Sequence, residues 1–336
     1  MLKYSDLEKN DPSGMYKVYD KWPQIAKESY ESDIKSVDFN DIDHIVFSGV
    51  GGSGAIGDLF SAILSKTDIH VNVVKGYLLP KTVDSKTLVI ITSISGNTIE
   101  AITTLKAAQE LECKKIAFSS GGEVESFCLK NQIQYRKIPM LHSPRASFCS
   151  YVYSILKVLN SVIPIQKNDI IESFSELENT SRQINSDNLT EENPSLNLAN
   201  WISKIPLIYY PWGLQAAAIR FKNSLQENAK SHAMAEDVIE ACHNGIVSWE
   251  KPSHVQPILL EGADDYIKTK ERWKILKGYF EQNNIDYKGV FSVKGSILSK
   301  LINLIYFLDY TTIYRAILSG VDPSPIKSID FVKSKL

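Results

Sequence analysis

The stretch Ile45-Val46-Phe47-Ser48-Gly49-Val50-Gly51-Gly52-Ser53-Gly54 (IVFSGVGGSG) passes from an apolar run directly into a cluster of glycines. Ala55 to Leu64 follows with apolar residues at helical spacing, so the segment reads as strand, turn and helix. The same grammar repeats downstream. His70 to Val74 is a second strand, and Thr87 to Thr92 (TLVIIT) is a third that ends in the turn Ser93-Ile94-Ser95-Gly96-Asn97. A helix from Thr98 to Leu111 comes next, then strand Lys115 to Phe118, the turn Ser119-Ser120-Gly121-Gly122, and a helix from Pro144 to Val158. Short strands of unbroken hydrophobicity alternating with helices mark an α/β fold whose parallel sheet is covered on both faces.

Past Val158 the chain turns polar and acidic (QKNDIIESFSELENTSRQINSDNLTEENPSLN), with a helix expected near Asp169 to Ile184 and then a Ser/Asn/Glu-rich loop. The grammar then restarts. Strand Ile205 to Tyr210 leads through Pro211-Trp212-Gly213 into a helix from Ala216 to Glu227. Strand Val255 to Leu260, helix Tyr266 to Asn283, strand Val290 to Val293 and a long helix from Ile297 follow. The expected organisation is a helical segment at 1–40 packed on the first domain, a first α/β domain at 41–165, a helix and linker at 166–200, and a second α/β domain at 201–336.

Of the 336 residues, 43% are hydrophobic and 23% charged, as in an ordinary globular chain long enough for two domains. A net charge of -2 offers no basic field for nucleic acid or an anionic membrane. The four cysteines (Cys113, Cys128, Cys149, Cys242) form no C-x-x-C pair and read as reduced thiols of a cytoplasmic protein. The first residues lack the apolar core of a secretory signal, and Lys300, Asp309 and Arg315 interrupt the apolar segment Ile297 to Leu318, so no membrane span is expected.

Gly49 to Gly54 fits G-x-G-x-x-G, but a dinucleotide site also wants an acidic residue at the end of the next strand, roughly 20 residues on. That strand ends Val73-Val74-Lys75, and Asp68 comes too early. The turn is not a P-loop, because Ala55 stands where Lys is required, and not a hydrolase elbow on Ser53, because the closing glycine is absent. The glycines could serve only to pack strand on helix. The second turn favours an anion instead: Ser93, Ser95 and Thr98 surround Gly96 and Asn97 at a helix start, where amides and the helix dipole attract negative charge. An ordinary cap by Ser95 or Asn97 is the alternative, although one hydroxyl suffices for that. A phosphate monoester shared by Gly52 and Ser53 of one turn and Ser93, Ser95 and Thr98 of the other is expected.

With SGVGGSG, TSISGNTIEA and SPRASF, the chain resembles the sugar isomerase (SIS) domain. With RFKNSLQENAK, HNGIVSWE and GVDPSPIKSIDFVKSKL in order, it resembles the two-domain bifunctional phosphoglucose/phosphomannose isomerases over nearly its whole length. The resemblance implies two SIS-type doubly wound (flavodoxin-like) domains. It also implies a metal-independent, cofactor-free interconversion of glucose 6-phosphate, and mannose 6-phosphate, with fructose 6-phosphate through an enediolate. It assigns Glu227 as the base that moves a proton between C2 and C1 and Arg145 as the cation that stabilises the enediolate. His243 opens the ring, reaching the site of the neighbouring subunit in a homodimer, and Lys333 is its partner in that step.

Each residue has a plainer alternative: Glu227 a solvated helix end paired with Lys230, Arg145 a surface ion pair, His243 a buried structural imidazole, Lys333 one of three solvated lysines beside Lys335. Three departures from the family pattern stand out. Gly245 replaces the glutamate common in HNE, Ile94 replaces the tyrosine common in S-Y-S-G-N-T, and the hydroxyl tied to mannose phosphate could be Ser324 or Ser328. No H-x-H, H-E-x-x-H or cysteine pair suggests a metal site. Two other functions compete: a non-catalytic SIS-domain sugar-phosphate sensor, for which the first 40 residues offer no basic helix-turn-helix, and a nicotinamide-dependent oxidoreductase resting on Gly49 to Gly54 alone.

Overall fold

The computed structural model describes residues 2–335, leaving Met1 and Leu336 outside. In chain order the elements are α1 (Tyr4–Asn10), α2 (Met15–Asp20), α3 (Trp22–Glu31), β1 (His44–Ser48), α4 (Gly52–Leu64), β2 (His70–Val74), β3 (Thr87–Ser93) and α5 (Ile99–Gln109). They continue with β4 (Lys114–Ser119), α6 (Gly122–Lys130), β5 (Gln134–Lys137), α7 (Phe148–Val158), α8 (Lys167–Ile184), α9 (Pro194–Trp201) and β6 (Ile205–Tyr210). The rest are α10 (Gln215–Asn228), β7 (Met234–Asp237), α11 (Val238–Ala241), β8 (Val255–Glu261), α12 (Ile267–Gln282), β9 (Lys288–Phe291), α13 (Ile297–Leu318) and α14 (Lys327–Lys333).

Two compact units result. Trp22–Phe174 holds a five-stranded parallel sheet in the order β2-β1-β3-β4-β5, which is the flavodoxin-like order. β1 and β3, apolar through their middles, are buried along their full length, while β2 and β5 at the edges are partly exposed. Val46, Val89 and Ile91 of the central strands pack with Leu105 of α5 and Val124 of α6. The other unit holds the parallel order β7-β6-β8-β9, with Leu207, Tyr209 and Leu259 packed on Trp273 and Phe280 of α12.

The division differs from the expected one at the N-terminal end. Residues through Lys21 belong with the chain from Ser175 onward, so only part of 1–40 goes with the first sheet, and α8 crosses the boundary between units. The cause is polar as well as apolar. Asp20 accepts hydrogen bonds from the Tyr310 hydroxyl of α13 at 2.5 Å, from the Ser186 amide at 3.0 Å and from the Ser186 hydroxyl at 2.7 Å. Tyr16 and Tyr19 of α2 are buried, and a tyrosine ring can bury a large area while its hydroxyl finds a partner.

Other departures have local reasons. β5 (QYRK) is a polar edge strand with no apolar run to reveal it. α9 lies in a stretch expected to be loop, yet it carries its own start signal: Asn193 accepts from the Leu196 amide and Pro194 occupies the first turn. The helix expected from Pro144 begins only at Phe148, because Pro144 and Arg145 sit in a turn. Asp20→Ala would leave three buried or half-buried donors without their acceptor and should cost about 2–4 kcal/mol. The drop in urea midpoint, at unchanged slope, measures it.

Candidate active site

In the five-stranded sheet the chain runs outward from β1 to β2 and then returns to place β3 on the other side of β1. The carboxyl ends of β1 and β3 therefore flank the point where strand order reverses, the usual ligand crevice of an open α/β sheet. The two turns singled out in the sequence emerge there. They are fastened to each other: the Ile94 amide donates to the Ser53 hydroxyl at 3.2 Å, and Ser53 itself is buried. Gly96 has φ +75, and a side chain there would overlap the Gly121 carbonyl of the next turn. A Cβ on Gly52 would lie 3.3 Å from the Pro144 carbonyl oxygen and 3.4 Å from the Arg145 Cα, so the SPRAS turn packs directly on the glycine turn.

The hydroxyls form one network. Ser93 donates to the Thr98 Oγ1 at 3.0 Å, and the Ser95 and Thr98 hydroxyls lie 3.4 Å apart. None of them caps a helix. Thr98 precedes the first residue of α5 and Gly51 that of α4, and neither helix start has a side-chain cap. Asn97, the other residue that could have capped α5, turns its Oδ1 to the Glu123 amide in the first turn of α6. Two helix starts at one crevice thus keep N–H groups and the positive ends of their dipoles available, beside three hydroxyls. The arrangement suits a doubly charged phosphate oxygen cluster.

Arg145 is 5% exposed, too buried for the surface ion pair that was its alternative. Its turn is braced by Ser147, whose hydroxyl accepts from the Leu141 amide at 2.8 Å and reaches the Ser143 carbonyl at 2.9 Å. His142, just before, adopts a left-handed backbone (φ 52) uncommon for a residue with a side chain. Gly52, Ser53, Ser93, Ser95, Thr98 and Arg145 thus all belong to the unit Trp22–Phe174.

The other candidates belong to the second unit. Glu227 is half-buried in the last turn of α10. Lys230, left-handed at φ 54, ends that helix and donates its ammonium to the Glu227 carbonyl at 2.6 Å and to the Pro323 carbonyl at 3.2 Å. It thereby ties the ENAK turn to the segment that leads into α14. His243 is exposed, which excludes the structural-core alternative. Its loop is anchored instead by Trp249, buried and donating its indole N–H to the Tyr209 hydroxyl at 2.9 Å. Burial pushes that Tyr209 hydroxyl up to about 12.

Lys333 is exposed at the end of α14. Ser324 shares a 2.6 Å hydrogen bond with Ser13, and Ser328 is exposed. At Gly245 a Cβ would lie 2.7 Å from both carboxylate oxygens of Glu236, so Glu236 fills the space a larger residue there would need. Burial, with the charges of Glu240 and Asp237, raises the Glu236 carboxyl above its usual range.

Sequence reading missed two supports: the Gly121–Gly122 turn that receives Gly96, and Lys230 as a bridge. A glycine pair at a strand end was the visible signal for the first; nothing local signalled the second.

The four-stranded sheet has the same reversal between β6 and β8, but with other chemistry. Asp265 accepts from the Gly262 amide and the Trp273 indole N–H, each at 3.0 Å. Glu261 pairs with Lys277 at 2.7 Å and Asp264 with Lys300 at 2.7 Å. Carboxylates already occupy this end of the sheet and take up the lysines and N–H groups that would otherwise meet an anion.

Comparison with known proteins bears on the same residues. Residues 38–128 match the SIS domain, and residues 191–336 match the bacterial phospho-glucose isomerase C-terminal SIS domain. Over 331 residues, 94% of this chain and 96% of the other, the sequence is 33% identical to a bifunctional phosphoglucose/phosphomannose isomerase of Caldicellulosiruptor bescii. The chain belongs to the bifunctional phosphoglucose/phosphomannose isomerase family. Membership makes it a sugar-phosphate isomerase, in agreement with the motifs. A relative named D-glucosamine-6-phosphate 4-epimerase, from Sulfolobus acidocaldarius, is 30% identical over 69% of this chain and 72% of its own. The fold matches the solved glucosamine-6-phosphate deaminase of Thermotoga maritima at a TM-score of 0.67, with 13% identity, over 92% of this chain and 96% of that one.

Gly96→Ala combines a disfavoured φ with overlap on a backbone carbonyl and should cost at least about 2 kcal/mol. The loss of midpoint in chemical denaturation checks it.

Proposed function

We propose that the protein interconverts glucose 6-phosphate and mannose 6-phosphate with fructose 6-phosphate by proton transfer, without a metal ion or other cofactor. What supports this most is the pair of uncapped helix starts with Ser53, Ser93, Ser95 and Thr98, on a chain that also carries the ENAK glutamate. The ester phosphate is held at Gly52, Ser53, Ser93, Ser95 and Thr98. His243 protonates the ring oxygen while Lys333 takes the proton of the anomeric hydroxyl, and the sugar opens. Glu227 removes the C2 proton of the aldehyde and returns it to C1 while the O2 hydroxyl proton passes to O1, with Arg145 stabilising the enediolate between the two steps. Glucose and mannose 6-phosphates differ only in the configuration at C2, and that configuration is erased in the enediolate. One base serves both substrates when rotation about the C2–C3 bond turns either C2 hydrogen toward it. A guanidinium suits the stabilising role because it stays charged at any working pH.

His243 serves the neighbouring subunit of a homodimer, and its exposure in the single chain supports that role. The enzyme acts in the cytoplasm. All four cysteines are free, and among the described residues no helix is long and apolar enough to cross a membrane.

A coupled assay with EDTA present should yield glucose 6-phosphate from fructose 6-phosphate, and no product would refute the main assignment. Glucosamine 6-phosphate serves as a separate arm because of the epimerase relative; turnover of it in place of fructose 6-phosphate would replace the substrate. Glu227→Gln should lower kcat by about 10²–10⁴-fold with substrate still bound. Ser95→Ala with Thr98→Ala should instead raise KM by about tenfold and leave kcat nearly intact.

A further inference from the structure

Three buried polar residues of α10, Arg220, Ser224 and Asn228, recur every fourth position and so form one stripe along the helix. The stripe meets α13 at two side chains. Asp309 receives the Arg220 guanidinium through Nε at 2.9 Å and Nη2 at 2.5 Å, and the Ser224 hydroxyl at 2.9 Å. It also receives the Tyr19 hydroxyl of α2 at 3.3 Å. Thr312, one turn further along α13, accepts from the Asn228 amide at 2.8 Å. Arg220 is 3% exposed and Asp309 is fully buried.

Attachment alone does not call for these groups. α10 already buries Ala217, Phe221 and Leu225, and moving two charges out of water costs several kcal/mol that apolar residues would avoid. Directional bonds do something apolar contact cannot. If α10 turned by one residue, the fork of Arg220 would leave Asp309 and both charges would be buried without partners. The stripe therefore admits a single rotation and height of α10. Glu227 follows Arg220 by seven residues, which brings it back within about 20° of the same direction around the helix. Burial works against the charge on Arg220, yet Asp309, with Glu227 contributing, outweighs it and holds the guanidinium protonated above its usual range.

We propose that the Arg220–Asp309 pair is a positioning device for the reaction, fixing α10 on α13 so that Glu227 is presented in one orientation. The inference rests on Glu227 being the base. Arg220 and Asp309 act through Glu227, with no contact to the substrate.

The test replaces both charges together, Arg220→Met with Asp309→Leu, because a buried pair exchanged for apolar side chains commonly keeps the fold. The variant should keep wild-type KM within about twofold and lose on the order of ten- to a hundredfold in kcat, the scale of a small misplacement of a reacting group. Arg220→Lys is the second variant, retaining a charge beside Asp309 but not the two-nitrogen grip. It should fold and lose kcat severalfold at unchanged KM. In a Glu227→Gln background the paired substitution should lower residual kcat no further, since its effect passes through the missing carboxylate. Wild-type kcat in the folded pair variant, or in Arg220→Lys, overturns the proposal, as does a full additional loss in the Glu227→Gln background. An inactive wild-type enzyme would instead overturn the isomerase assignment beneath it.

Discussion

The unit that carries the serine- and glycine-bearing turns is organised around two helix starts that the protein leaves without a side-chain cap. α4 and α5 begin side by side where the order of the sheet reverses, and neither uses a capping side chain. Ordinary helix starts are closed by a serine, threonine, aspartate or asparagine, so two open starts in contact are costly unless another acceptor arrives. The residues that could have closed them are committed elsewhere. Thr98 is held by Ser93 and Ser95, Ser53 by the Ile94 amide, and Asn97 by α6. Gly96 follows from the same constraint, because only backbone can come as close as it comes to Gly121, and Gly52 packs closely on the Arg145 turn.

The second sheet makes the comparison internal to the chain. Its topology repeats the reversal of the first, so topology does not distinguish the two crevices. Chemistry does. After β1 and β3 come glycines and hydroxyls; after β8 come Glu261, Asp264 and Asp265, neutralised by Lys277, Lys300 and backbone or indole N–H groups. The repeated fold supplies a frame, and its second copy carries Glu227, His243 and Lys333, the residues proposed to act on the sugar.

Much of this was legible because it is local. Strands β1, β2, β3 and β6 come within a residue or two of their expected ends, since each is a short, mainly apolar run followed within a few residues by glycine or proline. The hydroxyl cluster was visible for a similar reason: three residues within six positions must share one turn. What escaped depends on distant partners. β5 is a strand only because β4 offers it an edge, and its own residues alternate without an apolar stripe. The first 21 residues join the second half through Asp20, whose partners Ser186 and Tyr310 are far along the chain. The stripe on α10 was spelled out at every fourth position, yet polar residues at helical spacing usually mean a solvated face. Only Asp309 and Thr312, on another helix, convert it into a buried register.

The departures from the family pattern follow the same physical rule, that a missing group matters only if nothing takes its place. Ile94 lacks the hydroxyl of the tyrosine it replaces, but the contact that joins the two turns is made by its amide, which any residue supplies. Gly245 lacks a carboxylate, but Glu236 occupies the volume beside it and keeps an acidic group against the His243 loop. Both changes leave Ser53, Ser93, Ser95 and Thr98 in place, and neither disturbs Trp249, whose burial holds the histidine loop in place. At Ile94 and Gly245 the backbone or a neighbour thus already does the work, while Gly96, whose replacement no neighbour could absorb, stands as the pattern requires.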